Sequence, residues 1–513
     1  MGRRIVSRKT SKQEKDKKES AADIEKELDK NLSAIRELLA NPNDLVVREF
    51  TVGVTEQRCG VLFIDGLVDK AFINDFVLKN LQFQAKEQGL TEKGEKLLDA
   101  LKVELISLSS VKAVKSFEEI SNALLYGSTI LFADGVKQAL VIDAKGWESR
   151  AIMEPQSETL IRGPREGFTE NMRTNTVLLR RHIRDQNLRF ETHVVGRRSK
   201  KNLVVAYIEG LVHPDIVKEL NRRLKSIDMD DAQESGYIEQ WIEDSFLSPF
   251  PQFINTERPD KVSAAIMRGK VGIILDGTPF VLIAPTTFGN TLQSPEDFYE
   301  RWSMGTFIRS LRYLAAFIAI FLPSLYIALV SYHQGMIPSK LAFSIAATRE
   351  GVPFPAVVEA ILMALTMELL REAGARLPKT IGQTIGIVGG LVIGEAAVSA
   401  GIVSPVMVVV VALTAISSFT IPSYSVAISF RLMRFGIMIA AAILGLYGIV
   451  LAYIMINIHI VNLKSVGVPY SAPFAPSFYK DWRNLVLRLP IPLLTNRPGY
   501  LKPEDSTSAD KKG

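Results

Sequence analysis

Hydrophobic and polar positions divide the chain into two unlike halves. Residues 1–300 alternate short apolar runs with charged, amphipathic stretches, whereas residues 313–461 contain long apolar runs that hold few charges. About twenty apolar residues are enough for a helix to cross the hydrocarbon core of a bilayer, which is roughly 30 Å thick. The pattern therefore predicts a soluble front half followed by an α-helical transmembrane bundle.

The back half is predicted to form a transmembrane domain at 305–465. Its apolar runs predict helical spans at about 313–331, 381–400, 402–424 and 437–461. A further helical segment, 354–370, is interrupted by charged residues, so it could cross inside a bundle or lie at the interface. The distribution of Lys and Arg favours five spans, which places the C-terminal tail 466–513 outside, whereas the basic residues of that tail favour the inside.

Two segments of the front half repeat the same pattern. "CGVLFIDGLVDKAFINDFVLKNL" (59–81) parallels "NLVVAYIEGLVHPDIVKELNRRL" (202–224), and "ISNALLYGSTILFADGVKQALVI" (120–142) parallels "VSAAIMRGKVGIILDGTPFVLI" (262–283). Repeats with a nearly constant offset are typical of duplicated structural units. We therefore expect duplicated cytosolic α/β domains. Their predicted limits are a basic, mostly disordered or helical arm at 1–44, domains at 45–150 and 188–290, and a helical connecting segment at 151–187.

Each repeat ends in two apolar runs separated by Asp-Gly. This dipeptide supplies the positive φ of a type I′ hairpin, so Asp134 and Asp276 are interpreted as turn residues and not as catalytic carboxylates. The sequence has no glycine pattern for phosphate or dinucleotide binding, and its five histidines and one cysteine have no metal-ligand spacing. The front half is predicted to bind or assemble, without a metal or cofactor, and an enzyme is not expected.

Basic residues in the front half suggest two other functions, and neither is favoured. The N-terminal "MGRRIVSRKTSKQEKDKK" is not followed by an apolar run, so it is not a secretory signal peptide, and the front half is expected to stay cytosolic. The arginines of 167–191 lack the interleaved aromatic residues of nucleic-acid-binding surfaces. That segment is expected to be a solvated or subunit-contact face, with no nucleic-acid partner.

Acidic residues interrupt the apolar segments at three places. Glu359 and Glu368 lie in the uncertain segment, and Glu395 lies in the glycine-rich span with Ser399 one turn further on. Carboxylates inside a membrane are functional candidates because their burial without a partner costs several kcal/mol. Rings of such residues select cations in oligomeric pores. These four residues are therefore the predicted pore or gating candidates.

Glycines recur at every fourth position beside Glu395. The series is Gly382, Gly386, Gly390 and Gly394. Small residues at this spacing allow two helix backbones to approach closely in lipid, so a helix-packing seam is predicted. A pore-lining or hinge helix is the alternative interpretation.

Several motifs at and beyond the junction of the two halves are distinctive. They include "PFPQ" (249–252), "TERPD" (256–260), "SPEDFYERW" (294–302), "LPSLYIALVSYHQGMIPSKLAFSIAATREGVPFP" (322–355) and "GIVGGLVIGEAAVSAGIVSPVMVVVVALTAISSFTIPSY" (386–424). The sequence resembles the A subunits of GerA-type spore germination receptors over roughly residues 40–480. The related SpoVAF-like proteins share this architecture and stay an alternative.

The resemblance implies a multi-pass protein of the spore inner membrane. It implies a transporter-like B subunit and a lipoprotein C subunit as partners, and a response to nutrients that triggers release of monovalent cations. It also implies a homo-oligomeric, channel-like component in the lipid bilayer. The alternative functions are a non-conducting scaffold that couples the nutrient-sensing partner to downstream ion release, and a secondary transporter. The second is not favoured, because the back half contains no visible repeat.

Overall fold

A computed structural model describes most of the chain. It describes residues 23–52, 57–79, 94–99, 111–125, 127–144, 153–155, 157–377, 389–390 and 392–508. Within these ranges the chain forms two α/β domains, a set of long apolar helices and a C-terminal tail that returns to the second domain.

The first α/β domain is built on a five-stranded antiparallel sheet. Its elements are α1 (Leu28–Leu38), β1 (Leu45–Val52), β2 (Gln57–Ile64), α2 (Lys70–Phe72, continued by a π-helix at Ile73–Leu78), β3 (Val111–Val114), α3 (Phe117–Leu125), β4 (Thr129–Ala133) and β5 (Ala139–Ile142). The strand order is β1-β2-β4-β5-β3. Helices α1 and α3 pack their apolar faces on one side of this sheet, which follows from the alternation of buried side chains along strands.

The second α/β domain repeats this arrangement. Its elements are α4 (Met172–His182), β6 (Leu188–Val195), β7 (Lys201–Ile208), α5 (Pro214–Leu224), α6 (Ser235–Ile242), β8 (Ile254–Thr256), α7 (Pro259–Ile266), β9 (Val271–Leu275) and β10 (Val281–Ala284). The order β6-β7-β9-β10-β8 matches the first sheet strand for strand. The two sequence repeats therefore adopt the same sheet topology.

Each domain begins with a helix that the sequence interpretation placed outside it. The carboxylate Oδ1 of Asp134 accepts a hydrogen bond from Leu28 N, at the start of α1, at 3.0 Å. In the second domain Asp276 Oδ1 accepts from Met172 N, at the start of α4, at 3.1 Å. These bonds satisfy amide groups that a helix N-terminus leaves free. Helix α1 was predicted within the N-terminal arm and α4 within the connecting segment, but each is the first helix of an α/β domain.

The predicted hairpins are present, but their turns are longer than expected. Strands β4 and β5 pair in antiparallel fashion, as do β9 and β10. The turns are 134–138 and 276–280, and in them only Gly135 (φ 82°) and Gly277 (φ 93°) have positive φ. A two-residue type I′ turn requires positive φ at both central residues, so that prediction was wrong in detail.

Four long helices follow the second domain and share one hydrophobic core. After the short helices α8 (Phe288–Thr291) and α9 (Glu296–Tyr299), they are α10 (Trp302–Ser331), α12 (Ala356–Arg376), α13 (Pro405–Phe419) and α14 (Tyr424–Asn462), with the shorter α11 (Ser339–Arg349) after a 3₁₀ turn at Gln334–Met336. Residues 392–399 are also helical. Among the described residues, α10 and α14 are long and apolar enough to cross a membrane.

Helix α14 reverses its direction at Gly445. This glycine has φ 61° and ψ −139°, which is not helical. Near one end of α14 the Ser429 hydroxyl donates to Pro249 O, and near the other end His459 Nε2 lies 2.8 Å from Ser248 Oγ. A straight helix of 39 residues would be about 58 Å long and could not place both ends on one loop. The predicted span 437–461 is therefore two helical arms that meet at Gly445.

The C-terminal tail packs on the second α/β domain. It contains β11 (Lys464–Ser465), β12 (Val468–Pro469), α15 (Tyr479–Leu485) and 3₁₀ turns at Ile491–Leu493 and Gly499–Leu501. Ser465 Oγ donates to Gln252 O at 2.6 Å, and Phe288 N donates to Tyr470 O at 2.8 Å. The five-span arrangement places the tail on the side opposite the α/β domains, whereas in the structure it contacts one of them directly.

Candidate functional site

Glu359 lies in the first turn of α12 and is buried in the helical core. Its side chain is 0% exposed. Arg349 Nη2, at the end of α11, lies 2.9 Å from Glu359 Oε1, and Ser404 N donates to Glu359 Oε2 at 2.9 Å. Ser404 is the N-cap of α13. The carboxylate thus neutralises the charge of Arg349 and accepts a hydrogen bond from the amide group of Ser404 at the start of α13. It therefore holds α11, α12 and α13 together where they meet.

Glu368 lies at the opposite end of the bundle, among three arginines. Its carboxylate oxygens lie 2.8 Å from Arg431 Nη1, 3.0 Å from Arg434 Nη2 and 3.5 Å from Arg371 Nη1. The sequence indicated only the pair with Arg371, one turn away on the same helix. The other two arginines are three residues apart near the start of α14, so they lie on the same face of that helix. This spacing was the one sequence feature that could have indicated that both bind the same acidic residue.

Glu395 and Ser399 have different surroundings from these two glutamates. Both lie on the helical segment 392–399 and both are exposed. Neither side chain makes a hydrogen bond or ion pair with any residue that the structure describes. Because they are four residues apart, they share one face of the helix. The structure thus places a carboxylate without a partner among the described residues, and a hydroxyl, on the outer surface of an otherwise apolar element.

The predicted glycine seam is only half visible, because Gly382 and Gly386 lie outside the described residues. Gly394 is buried, and a methyl group there would lie 3.5 Å from Val408 Cγ1, an ordinary contact. A methyl group at Gly390 would meet no atom within 4 Å. The close approach is instead at Gly389, where it would lie 2.9 Å from Leu370 Cδ2. The described residues of this chain therefore form no tight helix contact at Gly390.

A third charged cluster connects the segment after the second α/β domain, α10 and the tail, and the sequence did not reveal it. Asp297, 2% exposed, lies 3.1 Å from Arg309 Nε and 3.0 Å from Arg312 Nη1. Arg309 also donates to Asn484 O at 2.6 Å, and Arg488 donates to Asp297 O at 3.2 Å. A buried charge needs such partners. Asp297 stands within the distinctive "SPEDFYERW", but its partners are too distant in sequence to be inferred.

These features define the class of the protein: duplicated α/β domains are fixed through buried ion pairs to an apolar helical bundle. Residues 33–500 match the family model described as Bacillus/Clostridium GerA spore germination protein. The chain therefore belongs to the GerA spore germination protein family, which confirms the resemblance seen in the motifs.

The relatives cover nearly the whole chain. Spore germination protein GerLA of Bacillus cereus is 50% identical over 96% of this chain and 99% of its own length. Spore germination protein KA of Bacillus subtilis is 42% identical over 96% of this chain and 90% of its own. A solved structure, the N-terminal domain of the A subunit of the Bacillus megaterium spore germinant receptor GerK3, is 32% identical, with a TM-score of 0.43 over 52% of this chain and 98% of that one.

Proposed function

We propose that this chain is a membrane subunit of a nutrient germinant receptor that triggers bacterial spore germination. The family match over residues 33–500 and relatives named as spore germination proteins support this role. In this proposal the protein lies in the spore inner membrane, with its α/β domains on the cytosolic side. It works with a transporter-like B subunit and a lipoprotein C subunit.

The proposal extends to mechanism: the subunit forms a homo-oligomer that conducts monovalent cations. The observation that carries it is the exposed Glu395 on an apolar helix, which has no ion-pair partner in the part of the chain that the structure describes. A carboxylate facing lipid costs several kcal/mol, whereas the same carboxylate facing water in a pore does not. In a ring of subunits, Glu395 becomes a ring of carboxylates that attracts cations, with Ser399 beside it.

Ion flux through purified protein in liposomes tests this mechanism. Glu395→Gln removes the charge and keeps the size of the side chain, so K⁺ flux is expected to fall. Glu372→Gln is the matched control, because Glu372 is exposed and paired with Arg376 at the end of α12. Equal K⁺ flux in both variants and the unaltered protein would exclude Glu395 from the conduction path.

The second candidate is a non-conducting scaffold, and the paired states of Glu359 and Glu368 favour it. Both carboxylates are bound by arginines of neighbouring elements, as expected for residues that hold a bundle together. A scaffold predicts no flux from the purified protein under any condition. It also predicts that Glu395→Gln leaves nutrient-triggered germination of spores unchanged when protein levels are equal.

A further inference from the structure

Two adjoining cavities lie where the second α/β domain meets the tail and the approach to α10. The first has a volume of about 220 Å³ and is bordered by α7, β10 and the segment 290–299. The second, of about 450 Å³, is bordered mainly by tail residues between 473 and 500. Four residues line both cavities: Arg268, Lys270, Asn290 and Gln293. Neither cavity contains a predicted pore residue.

Two basic side chains on this shared wall, Arg268 and Lys270, have no acidic partner among the described residues. Lys270 is 5% exposed, and the hydrogen bond of its ammonium group goes to the neutral amide oxygen Asn290 Oδ1, at 2.7 Å. The guanidinium of Arg268 lies 4.7 Å from the ring centroid of Phe298. Among the described residues it makes no hydrogen bond or ion pair. Burial, and then the nearby charges of Arg268 and Lys261, lower the pKa of Lys270 to about 7. Such groups are costly to bury without a counter-charge.

The acidic groups that line the cavities are already bound elsewhere. In the first cavity Asp260 lies 3.2 Å from Arg258 Nε and accepts a hydrogen bond from the Tyr299 hydroxyl. In the second, Asp481 accepts from Gly499 N at 2.8 Å and forms no ion pair with the shared wall. The other cation of the first cavity, Lys261, pairs with Glu158 at 2.6 Å. Excess positive charge therefore remains at Arg268 and Lys270.

The sequence repeat shows that the fold does not require these two cations. The copy-two sequence Arg268-Gly269-Lys270 corresponds to Tyr126-Gly127-Ser128 in the first α/β domain. Gly127 and Gly269 both have φ 88°, so this backbone turn is the same in the two copies. The residues on either side of this glycine are uncharged in the first α/β domain and basic in the second. The positive charge is thus a feature of the second domain, where the tail closes over it.

We propose that these cavities bind a small organic anion, whose carboxylate or phosphate group lies between Arg268 and Lys270. The planar guanidinium matches both anionic groups and the ammonium acts as a point charge. Phe298, Ile254 and Ile283 in the first cavity provide an apolar surface for the body of the ligand. The bound anion joins the second α/β domain to the tail through Asn290, which also accepts from the Tyr500 hydroxyl at 3.2 Å.

Binding to the full chain in detergent micelles tests the proposal. The probes are benzoate, inorganic phosphate and a short-chain phosphatidylglycerol, each compared with chloride at equal ionic strength. We expect at least one probe to raise the melting temperature and to bind saturably. Arg268→Gln and Lys270→Gln are each expected to weaken this binding by about tenfold or more. Lys218→Gln, on the exposed face of α5, is the matched control and should bind as the unaltered protein does.

A third variant keeps the test decisive if the charge variants fail to fold. Ala264→Met fills the first cavity and keeps both cations, and it is expected to abolish binding of benzoate. Binding of benzoate or phosphate would identify a free anion as the ligand, and binding of phosphatidylglycerol alone would identify a lipid headgroup. The proposal is overturned if no probe binds more tightly than chloride, or if the folded charge variants and Ala264→Met bind like the unaltered protein.

Discussion

At the scale of single residues, the glutamates of the apolar helices differ in their partners. Glu359 is fully buried and paired with Arg349, whereas Glu372 is exposed and paired with Arg376 on the same helix. Removal of one partner of a buried pair leaves an uncompensated charge, which costs more than the pair contributes. An exposed pair contributes little because water and salt screen it. The two positions should therefore respond very differently to the same substitution.

Glu359→Ala is expected to lower the free energy of unfolding by about 3–5 kcal/mol, because Arg349 loses its ion-pair partner and Ser404 N loses its hydrogen-bond acceptor. Glu372→Ala is expected to cost no more than about 1 kcal/mol. Chemical unfolding in detergent micelles, followed by tryptophan fluorescence, measures both. Similar losses in the two variants would show that the ion pair of Glu359 does not stabilise the bundle.

Glu239 gives the α/β half a pH dependence of known sign. Burial, and then repulsion from Glu243, raise the pKa of Glu239 to about 8. The folded protein then holds this proton more tightly than the unfolded chain does. Its stability should therefore fall as pH rises from about 4.5 to about 8. Burial also raises the pKa of the neighbouring Glu243, to about 7, so Glu239→Gln is expected to reduce that slope and not to abolish it, measured as melting temperature against pH.

Glu219→Gln is the control for this titration. The hydrogen bond from Arg222 lowers the pKa of Glu219 to about 2 against the cost of its burial, so its charge is constant above pH 5 or so. The control should keep the slope of the unaltered protein in that range. A slope that is unchanged in Glu239→Gln would assign the pH dependence to other groups.

Some residue roles were accessible from the sequence and others were not. Asp134 and Asp276 were predicted as turn residues, and they do lie in turns. Their hydrogen bonds to Leu28 N and Met172 N join positions more than a hundred residues apart, so no local pattern reveals them. The partners of Asp297 are hidden for the same reason. Local patterns predict backbone conformation well, but long-range contacts of polar side chains depend on the assembled fold.

At the scale of elements, the apolar runs predicted helices but not where they end. The predicted span 402–424 is divided, because α13 ends at Phe419 and α14 begins at Tyr424. Pro422 lies in this gap, and a proline lacks the amide that a continuing helix needs. The boundary between α13 and α14 could therefore have been predicted from the sequence. The reversal at Gly445 was not predictable, because a lone glycine in an apolar run is equally compatible with a continuous helix.

Replacing Gly445 by alanine is predicted to destabilise the protein, whereas the same replacement at Gly436 is not. The backbone conformation of Gly445 is strained for any L side chain, and a methyl group there would lie 2.9 Å from the ring of His333. Gly445→Ala should therefore cost about 1–3 kcal/mol. At Gly436, in the same helix, a methyl group meets nothing within 4 Å, so Gly436→Ala should be neutral or stabilising by up to about 1 kcal/mol. Thermal unfolding in detergent compares them, and equal effects would contradict the reversal.

At the scale of the whole molecule, duplication made the two α/β domains predictable. Two copies of one pattern reveal the positions that the sheet needs, and both copies fold with the same strand order. Departures between the copies then mark what is specific to one domain, as at Arg268 and Lys270. The tail has no second copy and few regular elements. Its position depends on contacts with residues about 180 to 220 positions earlier, such as Ser465 with Thr286 and Gln252.

The position of the tail predicts the topology in a membrane. Ser465 and Tyr470 bind the second α/β domain, so we expect the tail and that domain to lie on the same side of the membrane, with an even number of crossings. Helix α14 makes this possible by returning at Gly445, close to His333 at the far end of α10. A five-span protein would instead separate the tail from the domain by a bilayer and break every one of these contacts.

Cysteine labelling of oriented vesicles measures this topology directly. The native thiol, Cys59, is buried and is replaced by serine as the background. Lys218→Cys on the second domain and Ser477→Cys in the tail, both at exposed positions, are expected to react with an impermeant maleimide from the same side. Gln334→Cys, exposed in the turn after α10, should react only from the opposite side. If Ser477→Cys reacted together with Gln334→Cys, the tail could not be bound to the α/β domain in the membrane, and the even number of crossings would be wrong.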